Sequence, residues 1–345
     1  MKPFFLLLLL TACDRWSGAS ASEIWKLPAH RIGVPDDPAS LYATTTPSGD
    51  TIAVVFDARI GDRDLSGSHI VRIDPDGTIV QTVAVADIGD NAALAVAADD
   101  RGRPVAVWGS STISWIVAFD EALAPRWKLS SNGTPNYSCC LDLANGIFDV
   151  GPQGQVAFAQ MDANGYQTVH YVGDDGVERW AVTAQGTNYA HPLRIATDGD
   201  LLAFGIGRLA TANGARRSNI DAPARASTRD GVSVSLDIDQ LVVREPSGAI
   251  RWQTTIQGIG YCPFGGCIRE PSARNAVVAL TPSEDVLVQL YQTQEQLLDR
   301  SSGEREGATE HCGSPAILDV NDTGYLALGP SCDSSQGLAR HHLPE

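Results

Sequence analysis

Sulfur and imidazole are the first chemistry this chain offers. Cys13 stands near the amino terminus, and six cysteines follow at Cys139, Cys140, Cys262, Cys267, Cys312 and Cys332. An even set of this kind pairs as disulfides in an oxidising compartment. Cys312 and Cys332 are expected on two loops of one repeat unit, and bridging them would stabilise by about 3 kcal/mol. Cys262 and Cys267 flank Pro263–Gly266 and can close a small loop. The adjacent Cys139 and Cys140 can bond each other in a strained ring, cross to another loop, or stay reduced. Together with His191 and His311 these sulfurs could ligate a soft metal, but no Cys-x-x-Cys or His-x-x-x-His spacing supports it. His341 and His342 occupy a predicted strand, so their rings face opposite ways. No metal site is expected.

Carboxylates and nucleophiles offer less. Asp99-Asp100 and Asp174-Asp175 look like acid–base pairs, yet both fall in hairpin turns, where aspartate bonds the backbone. Asp74-Pro75-Asp76-Gly77 lacks the further spaced oxygens of a calcium loop. There is no Gly-x-Ser-x-Gly elbow, His-Glu-x-x-His pair, phosphate-binding loop or dinucleotide fingerprint, so no catalytic residue is assigned. Positive charge gathers in one stretch, 206–239, which holds Arg208, Arg216, Arg217, Arg225 and Arg229. Small and polar residues dominate there, so it is expected to be a long loop insertion, of the kind that is functional or solvated. On a chain of formal charge −16 these arginines are candidates to meet an anionic partner. The same net charge repels phosphate backbones and argues against nucleic acid.

The amino terminus is an address. Lys2 precedes an apolar run from Phe4 to Leu10, then Leu10-Thr11-Ala12-Cys13. That is the pattern of a secretory signal, too short to span a bilayer. Leu-Thr-Ala-Cys also resembles the lipobox of bacterial lipoproteins. The resemblance implies a signal peptide at 1–12, lipidation of Cys13 with acyl chains such as palmitate, and a cell-envelope location on the periplasmic or extracellular side. Two or more acyl chains suffice for stable anchoring. Residues 13–22, rich in Ser and Gly, read as the lipidated cysteine and a flexible tether.

The remainder, 23–345, must position these groups, and it is repetitive. Asp/Pro/Ser-Gly turns lead into strands at Ile73–Ile79, Gly173–Trp180 and Glu245–Trp252, with degenerate copies before Trp127 and at Arg300–Glu304. Glycine supplies the positive φ and Asp or Ser the backbone bonds of such turns. A second turn class alternates with the first, at 47–50, 99–102, 152–154, 198–200, 282–284 and 321–324. Six hairpins of this class, with β-branched runs on both sides, make six units of roughly 50 residues, the period of four-stranded propeller blades. No segment keeps a 3.6-residue period, so helix should be minor. Glu23–Leu27 matches the outermost strand of the repeat, and Gly337–Leu343 the strand before it. The amino-terminal strand should therefore complete the last blade and close the ring, removing exposed sheet edges.

These Asp-Gly-x-x-x-Trp units resemble the repeats of pyrroloquinoline-quinone-like propellers, a group that includes a lipoprotein scaffold of outer-membrane protein assembly. The resemblance implies an all-β propeller, with the tryptophans at 25, 127, 180 and 252 packing between sheets. The fold alone carries no activity. The reading favoured is a non-enzymatic, membrane-anchored envelope module that binds a protein or polymer. The cysteine-bearing loops, His191, His311 and the arginines are all expected on its loop-rich binding face. An enzyme is the alternative. It would be a quinone-dependent dehydrogenase using pyrroloquinoline quinone and calcium, suggested by the vicinal Cys139-Cys140, or a hydrolase assembled from scattered loops.

Overall fold

The computed structural model describes residues 23–34, 40–88, 91–109, 113–132, 134–135, 148–161, 167–184, 193–220, 224–237, 240–256, 276–290, 294–310, 316–330 and 336–344. Strands and turns account for these segments, and no helix occurs among the described residues. None is therefore long and apolar enough to cross a membrane.

The strands form antiparallel units of four, each wound from an inner to an outer strand. β1 (Glu23–Arg31) belongs with the last of them. Unit 1 is β2 (Ser40–Thr45), β3 (Thr51–Ile60), β4 (Arg63–Ile73) and β5 (Ile79–Ala84). Unit 2 is β6 (Ala92–Ala98), β7 (Pro104–Gly109), β8 (Ile113–Phe119) and β9 (Pro125–Asn132). A short β10 (Thr134–Pro135) joins the far end of unit 3, which is β11 (Phe148–Val150), β12 (Val156–Met161), β13 (Gln167–Val172) and β14 (Glu178–Ala184). Unit 4 is β15 (Leu193–Ile195), β16 (Leu201–Ala203), β17 (Gly207–Leu209) and β18 (Arg216–Ser218). Unit 5 is β19 (Ala226–Ser227), β20 (Ser233–Asp237), β21 (Gln240–Arg244) and β22 (Ile250–Thr255). Unit 6 is β23 (Val277–Leu280), β24 (Val286–Leu290), β25 (Gln294–Leu298) and β26 (Arg305–Glu310). Unit 7 is β27 (Ala316–Asn321), β28 (Gly324–Pro330), β29 (Gln336–His341) and β1.

As hydrogen-bonded sheets these number six, as the hairpins predict, but the largest has eight strands and contains two units. β1 joins them. Its first half runs antiparallel to β29, with Lys26 opposite Ala339, and Ala29–Arg31 then pair with Ile60–Ala58 of β3. The amino-terminal strand thus completes the last unit, as expected, and the described strands make seven units around the ring. The additional one comes from 206–239. Expected as a long loop, that stretch instead carries β17 to β20, and Thr228–Gly231 is an inner hairpin closed by Gly231 N–H to Thr228 O at 3.1 Å. Its strands are two to five residues long and include Arg216-Arg217-Ser218 and Ala226-Ser227, so no apolar run marks them.

Burial peaks at the second strand of a unit. Inner strands such as Pro104–Gly109 and Val286–Leu290 are buried throughout, because neighbouring units cover both faces. Outer strands alternate, as in Ile250–Thr255, where only Trp252 is buried. The apolar clusters lie between units, one per junction. Trp25, Leu41, Val55 and Leu338 join units 7 and 1, while Ala196, Leu202, Phe204 and Ala224 make the smaller cluster between units 4 and 5.

A repeated contact ties the outer strands together. The tryptophan of one unit lies flat on the glycine of the next unit's outer turn, pairing Trp25 with Gly77, Trp127 with Gly176, Trp180 with Gly214 and Trp252 with Gly303. A methyl on Gly176 would meet the Trp127 ring at 2.7 Å, and one on Gly303 would meet Trp252 at 2.5 Å. These glycines also have positive φ, so both the turn and the close approach exclude other residues. Trp127, Trp180 and Trp252 each donate their indole N–H, at 2.8 Å, to the second carbonyl of that turn, from Asp174, Thr211 and Arg300. Between units 1 and 2 a glutamine substitutes, and Gln81 Nε2 donates to Ala122 O at 2.7 Å.

Truncating such a ring removes both area and a hydrogen bond. Trp180→Ala should lower the unfolding free energy by about 3–5 kcal/mol. Trp180→Phe, which keeps much of the area and loses the bond to Thr211, should cost about 1 kcal/mol beyond its lost contacts. Urea unfolding followed by far-UV circular dichroism checks both, and equal costs would contradict the lock.

Candidate functional site

Antiparallel winding gives the ring two unlike ends. The glycine turns at 46–50, 74–78, 99–103, 173–177 and 245–249 all close hairpins at one end. The strand ends that flank the cysteines in the sequence lie at the other. Cys139 and Cys140 lie between β10 and β11, Cys262 and Cys267 between β22 and β23, Cys312 between β26 and β27, and Cys332 between β28 and β29. His191 lies between β14 and β15, and His311 between β26 and β27. All eight residues fall outside the described residues; the strand ends that flank them lie away from the glycine turns.

The five arginines do not form one cluster. Arg208, Arg216 and Arg217 belong to unit 4, Arg225 and Arg229 to unit 5. Arg208 bonds Asp198, and its Nε reaches Asp200 Oδ2 at 2.9 Å; Arg217 Nε lies 3.2 Å from the same oxygen. Burial works to raise the Asp200 carboxyl, but the Arg208 bond, the Thr211 N–H and the Arg217 charge hold it below its ordinary value. Arg216 and Arg225 are exposed and also partnered. Arg229 turns inward, donating to Ile195 O at 3.1 Å and Val150 O at 2.6 Å. Arg229 therefore joins units 3, 4 and 5 at the turn end, and Arg208 and Arg217 pair within unit 4, where all five were expected on the loop-rich face. Arginine's fixed fork suits it to gathering carbonyls and carboxylates from several strands.

Two inner-strand carboxylates complete this network. Asp149 of β11 accepts the Ile195 N–H at 2.7 Å and Arg194 Nη1 at 3.0 Å, and Arg194 Nε also donates to Ser227 O at 2.9 Å. One aspartate thus links units 3, 4 and 5. Asp319 of β27 makes the matching link from unit 7 to unit 1, accepting the Thr45 N–H at 2.6 Å and the Thr44 hydroxyl at 3.3 Å. Sequence reasoning passed over all three residues. The available signal was an aspartate set within an apolar run just before an inner turn, in Phe148-Asp149-Val150 and Leu318-Asp319-Val320.

The two aspartates differ in their counter-charge. Asp149 has Arg194 against it, whereas Asp319 has the Thr44 hydroxyl, the backbone N–H groups of Thr45 and Val320 and the more distant Arg194, and burial pushes its carboxyl above the ordinary 3.8. A raised folded-state value means that Asp319 favours the fold below its unfolded value, and this contribution is lost as pH rises through the folded one. Asp319→Asn should therefore raise the melting temperature near neutral pH, with the gain over the parent shrinking towards about pH 4. Asp149→Asn should instead lower it, by about 3 kcal/mol of stability, because the half-buried Arg194 charge loses its carboxylate. Thermal melts of the three proteins across pH check both signs.

Elsewhere, a polar groove of about 390 Å³ opens at the rim between units 5 and 6, lined by Gln253, Thr255, Gln296 and Glu304. Among the described residues, no three of His, Cys, Asp and Glu come together as a metal ion would require. The residues that suggested a quinone with calcium, Cys139 and Cys140, lie outside the described residues.

With seven units closed by their own amino-terminal strand, the chain is a β-propeller. No family model matches it, and no curated protein does. Solved structures resemble it at low identity. BamB from Moraxella catarrhalis is 12% identical over 86% of this chain and 84% of its own, with a TM-score of 0.45. Sqt1 from Saccharomyces cerevisiae is 9% identical over 94% of this chain and 100% of its own, at 0.49. A protein of unknown function from Bacteroides caccae is 11% identical over 77% and 80%, at 0.37.

Proposed function

We propose that this protein is a non-enzymatic propeller of the bacterial cell envelope, anchored through a lipidated Cys13, that binds a protein or polymer partner. The observation that carries the reading is the polarity of the ring. At the turn end, Asp149, Arg194, Arg229 and Asp319 are spent on holding units together. The strand ends that flank all six downstream cysteines in the sequence lie at the opposite end, where disulfides would brace variable connections on a rigid frame. Recognition residues commonly sit on such connections. The anchor is supported by the Leu10-Thr11-Ala12-Cys13 motif, and β1, which follows it, is built into the closing junction.

Two measurements test this. Cys13→Ala in the full chain should move the protein from the membrane fraction to the soluble fraction, while its circular dichroism stays unchanged. Crosslinking in intact envelopes should recover the same partner from independent preparations. Turnover of a small molecule with no partner recovered would overturn the reading.

A further inference from the structure

One junction has the glycine without the indole. In the outer repeat, the tryptophan stands four residues after the residue that ends the turn, as Trp180 follows Gly176 and Trp252 follows Gly248. In unit 4 the turn ends at Gly214, and Ser218 stands where the tryptophan would be. Unit 5 nevertheless keeps the receiving half, a turn at Glu245–Gly248 closed by Gly248 N–H to Glu245 O at 2.8 Å, with Gly248 at φ 84°. Gly77, Gly176, Gly214 and Gly303 each have a tryptophan ring within 3 Å of a built Cβ, but Gly248 has nothing within 4 Å. The strand beside it, Arg216–Ser218, is exposed along its whole length. The apolar cluster beneath is the small one of Ala196, Leu202, Phe204 and Ala224.

We propose that the Gly248 turn is a docking socket for a tryptophan on an extended segment of a protein partner. The chain itself shows what this socket takes. In its equivalents the occupant is an indole lying on the glycine, in an extended strand, with its N–H on the second carbonyl of the turn. Here that carbonyl belongs to Pro246, and the incoming ring would pass over Ser218. The site lies on the rim between units 4 and 5, away from the cysteine-bearing end. The inference rests on the binding-module reading and narrows its partner to a protein.

The test uses the full chain and a fluorescein-labelled peptide copying Gly176–Ala184, which carries the lock tryptophan. Anisotropy should show saturable binding, weakened at least tenfold when the peptide's tryptophan is alanine. Ser218→Trp should fill the socket from within, raise the melting temperature and abolish peptide binding, and Ser218→Phe provides a second filled form. Absence of peptide binding, or binding unchanged in both filled forms, overturns the socket. Self-association of the parent that Ser218→Trp dissolves would assign the socket to a second copy and overturn the partner assignment. If a crosslinked envelope partner is still recovered from Ser218→Trp at parental yield, the socket inference falls and the binding-module reading stands.

Discussion

The ring depends on a flat contact between an indole and a glycine that repeats from unit to unit. Each unit buries its inner strands only because a neighbour covers both faces, and wedge-shaped sheets diverge towards the rim. The outer strands need a spacer of fixed thickness there. A tryptophan ring provides it, provided that the surface it meets has no side chain. Trp25 on Gly77, Trp127 on Gly176, Trp180 on Gly214 and Trp252 on Gly303 are four instances of one solution. The hydrogen bond from three of these rings to the adjacent turn adds direction to the contact.

Charge joins neighbouring units as well, from the inner strands to the outer turns. Asp149 and Asp319 each take a backbone N–H from the next unit, one with an arginine at hand and one without. Arg103 and Arg126 of unit 2 converge on Asp174 of unit 3, and Arg251 of unit 5 meets Glu284 of unit 6. Much of the arginine in this acidic chain therefore works as internal mortar. The junction between units 4 and 5 differs on both counts. It lacks the indole, has a small apolar cluster, and relies on Arg194 and Arg229 reaching across short strands.

The propeller, its closure by Glu23–Leu27 and the packing role of the four tryptophans were legible because each rests on a local pattern: a turn with its glycine, a β-branched run, an aromatic at fixed spacing. Unit 5 was not legible from its start. Ala226-Ser227 and Arg216-Arg217-Ser218 are strands through their partners rather than their propensities, and the turn at Thr228–Gly231 looked like loop. The same misreading placed Arg208, Arg217 and Arg229 on a solvated excursion, when tertiary pairing brings them to carboxylates and carbonyls. Asp149 and Asp319 carried only a faint signal, because an isolated aspartate in a strand says nothing of a backbone N–H from the next repeat.

All of this assumes that the amino-terminal strand is a full member of unit 7, with Trp25, Lys26 and Leu27 laddered onto Arg340, Ala339 and Leu338. Amide hydrogen exchange measures that ladder directly. If the ring is closed as described, the amides of β1 and β29 are protected to the same degree and are lost together as denaturant is raised. Rapid exchange along β1 beside a protected β29 would show an open ring and contradict the account.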